Sequence, residues 1–257
     1  MKSAIKPKKH LGQHFLADES IARKIAECIS YSQDTLIEIG PGTGSLTKHL
    51  IDKWSDRLWL IDIDTESIDY LKKEYPQLKE RIVEADILSS DLNIFLENKP
   101  FSVIGNFPYN ISSQILFKVI EYRKQVIEVV GMFQKEVAKR ICSPPGNKDY
   151  GILSVIVQAY FETTYLFDVP PSVFIPPPAV NSGVIKLVRK PNLNLGCNED
   201  FFVQVVKTGF NQRRKKLSNA LSSIIAGRPV KSKYFDKRAE QLSWQDFVEL
   251  ANALKKD

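Results

Sequence analysis

The chain has 257 residues, 43% hydrophobic and 26% charged, which suits a globular protein with one large domain and a small one attached. No apolar run approaches the ~20 residues that cross a bilayer, and the start, MKSAIKPKKHLGQHF, lacks the apolar centre of a secretory signal. The net charge of +6 is uneven: from Leu195 onward 12 Lys or Arg face 7 Asp or Glu, so a nearly balanced body carries a basic C-terminal portion suited to a polyanion. The 3 cysteines and 3 histidines show no metal-ligand spacing or disulfide framework, so no metal is expected and a reducing, cytoplasmic setting is.

In chain order, ESIARKIAECIS (19–30) has helical spacing with Asp18 as N-cap. Thr35–Ile39 reads as a buried strand running into Gly40-Pro41-Gly42-Thr43-Gly44, with a helix from about Ser45. Leu58–Ile61 is a second strand ending at Asp62, Thr65–Tyr75 a helix, and Arg81–Ala85 a third strand ending at Asp86. Phe101–Gly105 is a fourth strand leading into Asn106-Phe107-Pro108-Tyr109. A helix over Ser113–Tyr122 and a strand over Val126–Phe133 follow, and Leu153–Phe161 and Gly183–Val188 suit further parts of the sheet. Past Lys190 the pattern changes: FFVQVVKTGF, KLSNALSSII and WQDFVELANALKK have helical periodicity with no strand between them. The expectation is an α/β, Rossmann-like parallel sheet over 1–190 and a small, basic, all-α domain over 195–257.

In such a sheet, ligands bind beyond the carboxyl ends of the strands. The first four strands end in Gly40, Asp62, Asp86 and Asn106, which look like one cleft. Glycines at 40 and 42 let a ligand approach the backbone, and Asp62 lies where an acid grips ribose hydroxyls. The glycines run G-x-G-x-G, unlike the dinucleotide fingerprint, and no P-loop lysine follows. A ligand with ribose and adenine but no pyrophosphate fits, and S-adenosylmethionine is such a ligand. Asp86 then either accepts from its adenine amine or merely caps a loop.

A methyl acceptor would lie at the fourth strand end. The Asn106 carbonyl and the Phe107 carbonyl, fixed by Pro108, can both accept from a planar amine, and Tyr109 can stack on a flat heterocycle. Holding both amine protons draws the nitrogen lone pair out of conjugation, which suits a nucleobase and demands no general base.

Asn-Phe-Pro-Tyr resembles the Asn-x-Pro-Tyr motif of amino methyltransferases. More closely, KKHLGQHFL (8–16), EIGPGTGSLT (38–47), GNFPYNIS (105–112), QKEVAKR (134–140) and VPPSVFIPPPAVNS (169–182) resemble the KsgA/RsmA family of 16S ribosomal RNA adenine dimethyltransferases. That resemblance implies a class I S-adenosylmethionine-dependent methyltransferase that dimethylates two adjacent adenosines in a hairpin loop near the 3′ end of 16S rRNA. It implies action on the immature 30S subunit, late in assembly. A cytoplasmic monomer is expected.

It also implies donor contacts at His14, Leu16, Gly40, Gly42, Asp62, Asp86 and Asn106, and an adenine held by Asn106, Phe107, Pro108 and Tyr109 with Phe174 stacked on its far face. The family commonly has Asn at the place of His14, Glu at that of Asp62 and Leu at that of Phe107. With an rRNA substrate, Arg213, Arg214, Lys215 and Lys216 become phosphate contacts, and Lys2, Lys6, Lys8 and Lys9 either assist or form a tail. Three other readings share parts of the pattern: an Erm-type 23S rRNA methyltransferase, a mainly non-enzymatic small-subunit assembly factor, and a small-molecule amino methyltransferase.

Overall fold

The computed structural model describes residues 5–30, 32, 34–96 and 98–255; Lys2 lies outside them. The elements run β1 (Phe15–Leu16), α1 (Glu19–Cys28), β2 (Thr35–Ile39), α2 (Thr47–Trp54), β3 (Leu58–Asp62), α3 (Thr65–Glu74), β4 (Ile82–Glu84), α4 (Asn93–Leu96), β5 (Phe101–Asn106), α5 (Ser112–Glu121) and β6 (Val126–Gln134). They continue as α6 (Lys135–Cys142), α7 (Ile152–Tyr160), β7 (Phe161–Val169), β8 (Phe174–Ile175), β9 (Ser182–Arg189), α8 (Glu199–Asn211), α9 (Leu217–Ala220), α10 (Ser222–Ile225) and α11 (Trp244–Leu254).

The main sheet has the order β4-β3-β2-β5-β6-β9-β7. β2 pairs in parallel with β3 and β5, and β5 in parallel with β6, while β9 runs antiparallel to β6. Leu36, Ile37, Leu60, Ile61, Val103 and Ile104 are all buried, as expected of central strands with helices on both faces. The strand order reverses between β2 and β5, and that reversal opens a crevice at their carboxyl ends.

Two compact units divide the chain. One is the chain up to Ala138 with Thr164–Arg189; the other is Lys139–Thr163 with everything from Lys190. The second unit therefore takes in a segment assigned to the sheet domain by the sequence reading. The strand expected over Leu153–Phe161 is helix α7. A continuous apolar run such as ILSVIVQAYF fits a buried strand or a buried helix equally well. Helix wins because the Ser154 hydroxyl accepts from the Gly151 N–H (3.0 Å), half of a capping box, and six of the nine side chains of α7 are buried.

In the helical unit, Asn198 caps α8 and Ser243 caps α11 with Asp246 returning the bond. Phe202, Val206, Phe247 and Leu250 form its core. Phe210 stacks on Phe247 at 5.9 Å and lies 6.2 Å from Tyr150, so the inserted segment shares that core.

Candidate active site

The cleft beyond β2, β3 and β5 is lined by Gly40, Gly42, Asp62, Asp86, Asn106, Phe107, Pro108, Tyr109 and His14, among others. Nine of the sequence-predicted site residues thus share one wall or another of a single cavity. A Cβ at Gly40 would lie 3.8 Å from Pro108 Cδ and 3.9 Å from the Asn106 carbonyl, so the glycine turn and the Asn-Phe-Pro-Tyr turn touch.

The glycine turn is built by positive φ at Gly40 (+67°), Gly42 (+55°) and Gly44 (+78°). The Gly42 N–H donates to Asp62 Oδ2 (3.2 Å) and the Asp64 N–H to Asp62 Oδ1 (3.0 Å), which aims the carboxylate. Burial pushes the Asp62 carboxyl upward, and those two N–H bonds oppose the shift. Ile63 and Ile87 add apolar wall, and Asp86 lines the cleft while its Oδ1 accepts from the Leu88 N–H (2.9 Å). Capping and lining therefore coexist at Asp86. These residues fit S-adenosylmethionine: a Cβ-free turn, a buried ribose-level carboxylate, and an apolar slot with a second acid.

Beneath the turn, Glu38 is fully buried, and its Oε2 accepts from Thr47 Oγ1 (2.7 Å). Burial raises its carboxyl from 4.5 to about 8. The folded state therefore binds this proton more tightly than the unfolded state. The stability it confers is complete below pH 4.5 and declines as pH rises towards about 8. Glu38→Gln keeps an acceptor for Thr47 and removes the titration. Thermal midpoints across pH 5–9 are expected to fall less steeply for the variant, and parallel curves would refute this.

On the acceptor side, Asn106 Nδ2 donates to the His14 carbonyl (2.9 Å). That bond sets the amide orientation and leaves Oδ1 to accept. Phe107 is buried and packs edge-on against Phe133 (5.1 Å, 71°). Tyr109 is held at its hydroxyl by Ser182 Oγ (2.5 Å) and at its ring by His14 (centroids 5.6 Å, 27°).

Leu16 and Phe174 do not line the cavity. They pair as β1 and β8, with Leu16 opposite Phe174, and are 5% and 2% exposed. Apolar side chains at a strand pair lower the free energy by leaving water, and Phe174 packs in the core here. Leu16 contributes its carbonyl, which accepts from Ser45 Oγ (2.6 Å).

The four-cation run divides. Arg213 donates from Nε to Glu240 (2.5 Å) and from Nη2 to the Lys148 carbonyl (2.6 Å), and so fastens the 143–149 loop within the helical unit. Lys216 pairs with Asp236 (2.8 Å), whereas Arg214 and Lys215 are exposed. Lys8 is likewise engaged, by Asp64 (2.5 Å) and Glu66 (3.0 Å). Partners such as Glu240 lie far along the chain, and no local pattern announces them. Among the described residues no cluster of His, Cys, Asp or Glu could hold a metal, and no helix is long and apolar enough to cross a membrane.

A Rossmann-like sheet with a glycine turn, an acid at the next strand tip and Asn-x-Pro-Tyr at the fourth defines a class I S-adenosylmethionine-dependent methyltransferase. The chain belongs to the ribosomal RNA adenine dimethylase family, whose pattern it matches over residues 4–256. It is an rRNA adenine-N6 dimethyltransferase by that membership. It is 52% identical over 255 residues to the ribosomal RNA small subunit methyltransferase A of Flavobacterium johnsoniae, covering 98% of this chain and 97% of that one. The corresponding protein of Cytophaga hutchinsonii is 53% identical over 253 residues (97% and 98%). Among solved structures, a dimethyladenosine transferase from Plasmodium falciparum superposes with a TM-score of 0.77 at 28% identity, covering 92% of this chain and 96% of that one. The 23S rRNA methyltransferase ErmE shares the fold (TM-score 0.68, 24% identity, 93% and 99% covered).

Proposed function

We propose that this enzyme dimethylates two adjacent adenosines in a hairpin loop near the 3′ end of 16S rRNA, on immature small subunits, as a cytoplasmic monomer. The observation that carries the chemistry is the Asn106 amide, with its Nδ2 committed to the His14 carbonyl and its Oδ1 left to accept. The small-subunit name of relatives above half identity favours 16S over 23S rRNA.

S-Adenosylmethionine, held by the Gly40–Gly42 turn, Asp62 and Asp86, supplies an electrophilic methyl group. The chain's own residues prepare the nucleophile. Asn106 Oδ1 and the Phe107 carbonyl accept hydrogen bonds from the two N–H groups of the adenine amine and draw its lone pair out of the ring. Pro108 fixes the backbone that carries the Phe107 carbonyl. Tyr109, clamped at hydroxyl and ring, stacks on the base, which is turned out of an RNA loop where unstacking costs little. The methylated amine is acidic enough to release its proton to water.

Arg214 and Lys215, with Lys148 fastened nearby through Arg213, contact phosphates. Replacing both Arg214 and Lys215 by Ala is expected to weaken RNA binding and lower the slope of log K against log salt by about 1.4–1.8, at ~0.7–0.9 per contact. Arg213→Ala is expected instead to lower the thermal midpoint, because Glu240 and the 143–149 loop lose their partner. Equal salt slopes in all three proteins would remove the proposed contacts.

The deciding test is transfer of labelled methyl groups to purified small and large subunits lacking the modification, followed by nucleoside analysis. Label in dimethyladenosine from the small subunit is expected, and label confined to the large subunit would overturn the assignment.

A further inference from the structure

We propose that Tyr122 is a positioning residue for the methyl donor: its hydroxyl braces, from behind, the turn that carries Asp86 into the cleft. That turn, residues 86–92, follows the carboxyl end of β4. β4 is three residues long and lies at the edge of the sheet, so only β3 holds it from the side. The near half of the turn, Asp86, Ile87 and Leu88, lines the cleft. It folds back on itself, with the Asp86 carbonyl accepting from the N–H groups of Ser89 (3.2 Å) and Ser90 (3.0 Å) and from Ser90 Oγ (2.7 Å).

The far half is gripped from α5. Tyr122, the residue after that helix, accepts from the Leu92 N–H (3.0 Å) and donates to Asp91 Oδ1 (2.8 Å). A phenol has one hydrogen to give; here it goes to a carboxylate, while the oxygen takes the N–H. Leu92 and Tyr122 are 3% and 6% exposed, so water does not replace that bond. Gln125 adds a further tie, from Nε2 to Asn93 Oδ1 (2.7 Å). Packing joins the two halves as well. Ile87, Leu92 and Tyr122 line one small apolar void together with Phe101 and Val119, and Ile87 also belongs to the wall of the cleft. Tyr122 itself does not line the cleft, so it acts on the donor only through the turn.

Tyr122→Phe keeps the ring and removes the hydroxyl, which leaves the buried Leu92 N–H without its partner. Calorimetry with S-adenosylmethionine is expected to show the dissociation constant raised about fivefold, the share of one hydrogen bond. At saturating donor, kcat and the KM for small subunits are expected to stay within about twofold of wild type. Asp91→Ala, at an exposed position, removes the same bond from its other end and is expected to raise the constant about threefold. Asp91→Asn keeps an acceptor and is expected to bind the donor as wild type does. In an Asp86→Ala background, Tyr122→Phe is expected to add less than about twofold, because the brace works through Asp86. A second readout needs no donor: the backbone amides of residues 88–92 are expected to exchange with solvent hydrogen faster in Tyr122→Phe than in wild type, with those of β2 unchanged.

The calorimetric arm rests on the reading of Asp86 as part of the donor site, and the exchange arm does not. An Asp86→Ala protein that binds the donor as wild type does would sink that reading. Unchanged exchange over residues 88–92, losses that add in full to those of Asp86→Ala, or donor affinity within about twofold of wild type in both Tyr122→Phe and Asp91→Ala would overturn the proposal. Should Tyr122→Phe fail to fold, Asp91→Ala carries both readouts.

Discussion

Asn106→Ala is expected to lower kcat for methyl transfer by about 10²–10³-fold, the usual loss when one preorganised hydrogen-bonding group facing a developing charge is removed. The truncated residue keeps its backbone and loses both ends of the amide. Oδ1 no longer draws the adenine lone pair out of conjugation, and the His14 carbonyl loses its donor. Asn106→Asp separates the two effects. A carboxylate still accepts from the amine but repels the His14 carbonyl instead of bonding it. Its kcat is expected to fall between wild type and Ala. Single-turnover rates on small subunits, with donor affinity measured in parallel, check both. An alanine variant within threefold of wild type would remove Asn106 from the chemistry.

Gly105→Ala should give the largest stability loss. Gly105 sits opposite Gly131 in the parallel β5–β6 pair, and the Phe107 ring fills the space above both. A Cβ at Gly105 would lie 2.5 Å from the Ile39 carbonyl oxygen and 2.6 Å from Phe107 Cε1. The first neighbour is central-strand backbone and the second a fully buried ring locked against Phe133, so neither yields easily. Overpacking of this kind costs about 1–3 kcal/mol, and two unyielding neighbours put this site at the upper end. The same displacement would tilt Phe107, whose carbonyl is the proposed second acceptor for the amine, so activity per folded molecule is expected to fall as well. Denaturant unfolding monitored with the activity of the folded fraction tests this. A neutral substitution would mean that the strand pair adapts.

Much of the cleft is legible in the sequence, because parallel strands put their binding groups at their ends. Gly40, Asp62, Asp86 and Asn106 each terminate a recognisable apolar run, and the fold brings those ends together. The rest was hidden for specific physical reasons. The 152–160 helix is mostly apolar, with only Ser154 and Gln158 to mark a polar side, so its period hardly separates it from a strand. β1 and β8 are two residues long, too short for alternation to register, and their pairing sends Leu16 and Phe174 into the core. Arg213 stands in a basic run that reads as one surface, yet its partners lie 27 residues ahead and 65 behind. The His14 ring is held by the carbonyl of Pro176, 162 residues away.

That last separation bears on how the enzyme comes into being. The chain emerges amino end first, and the arm with His14 is among its earliest products, whereas the carbonyls that capture it belong to residues 173–176. Until that stretch has left the exit tunnel, the arm that brings His14 to the cleft has no carbonyl to hold it. The cleft is therefore completed late in the enzyme's own translation.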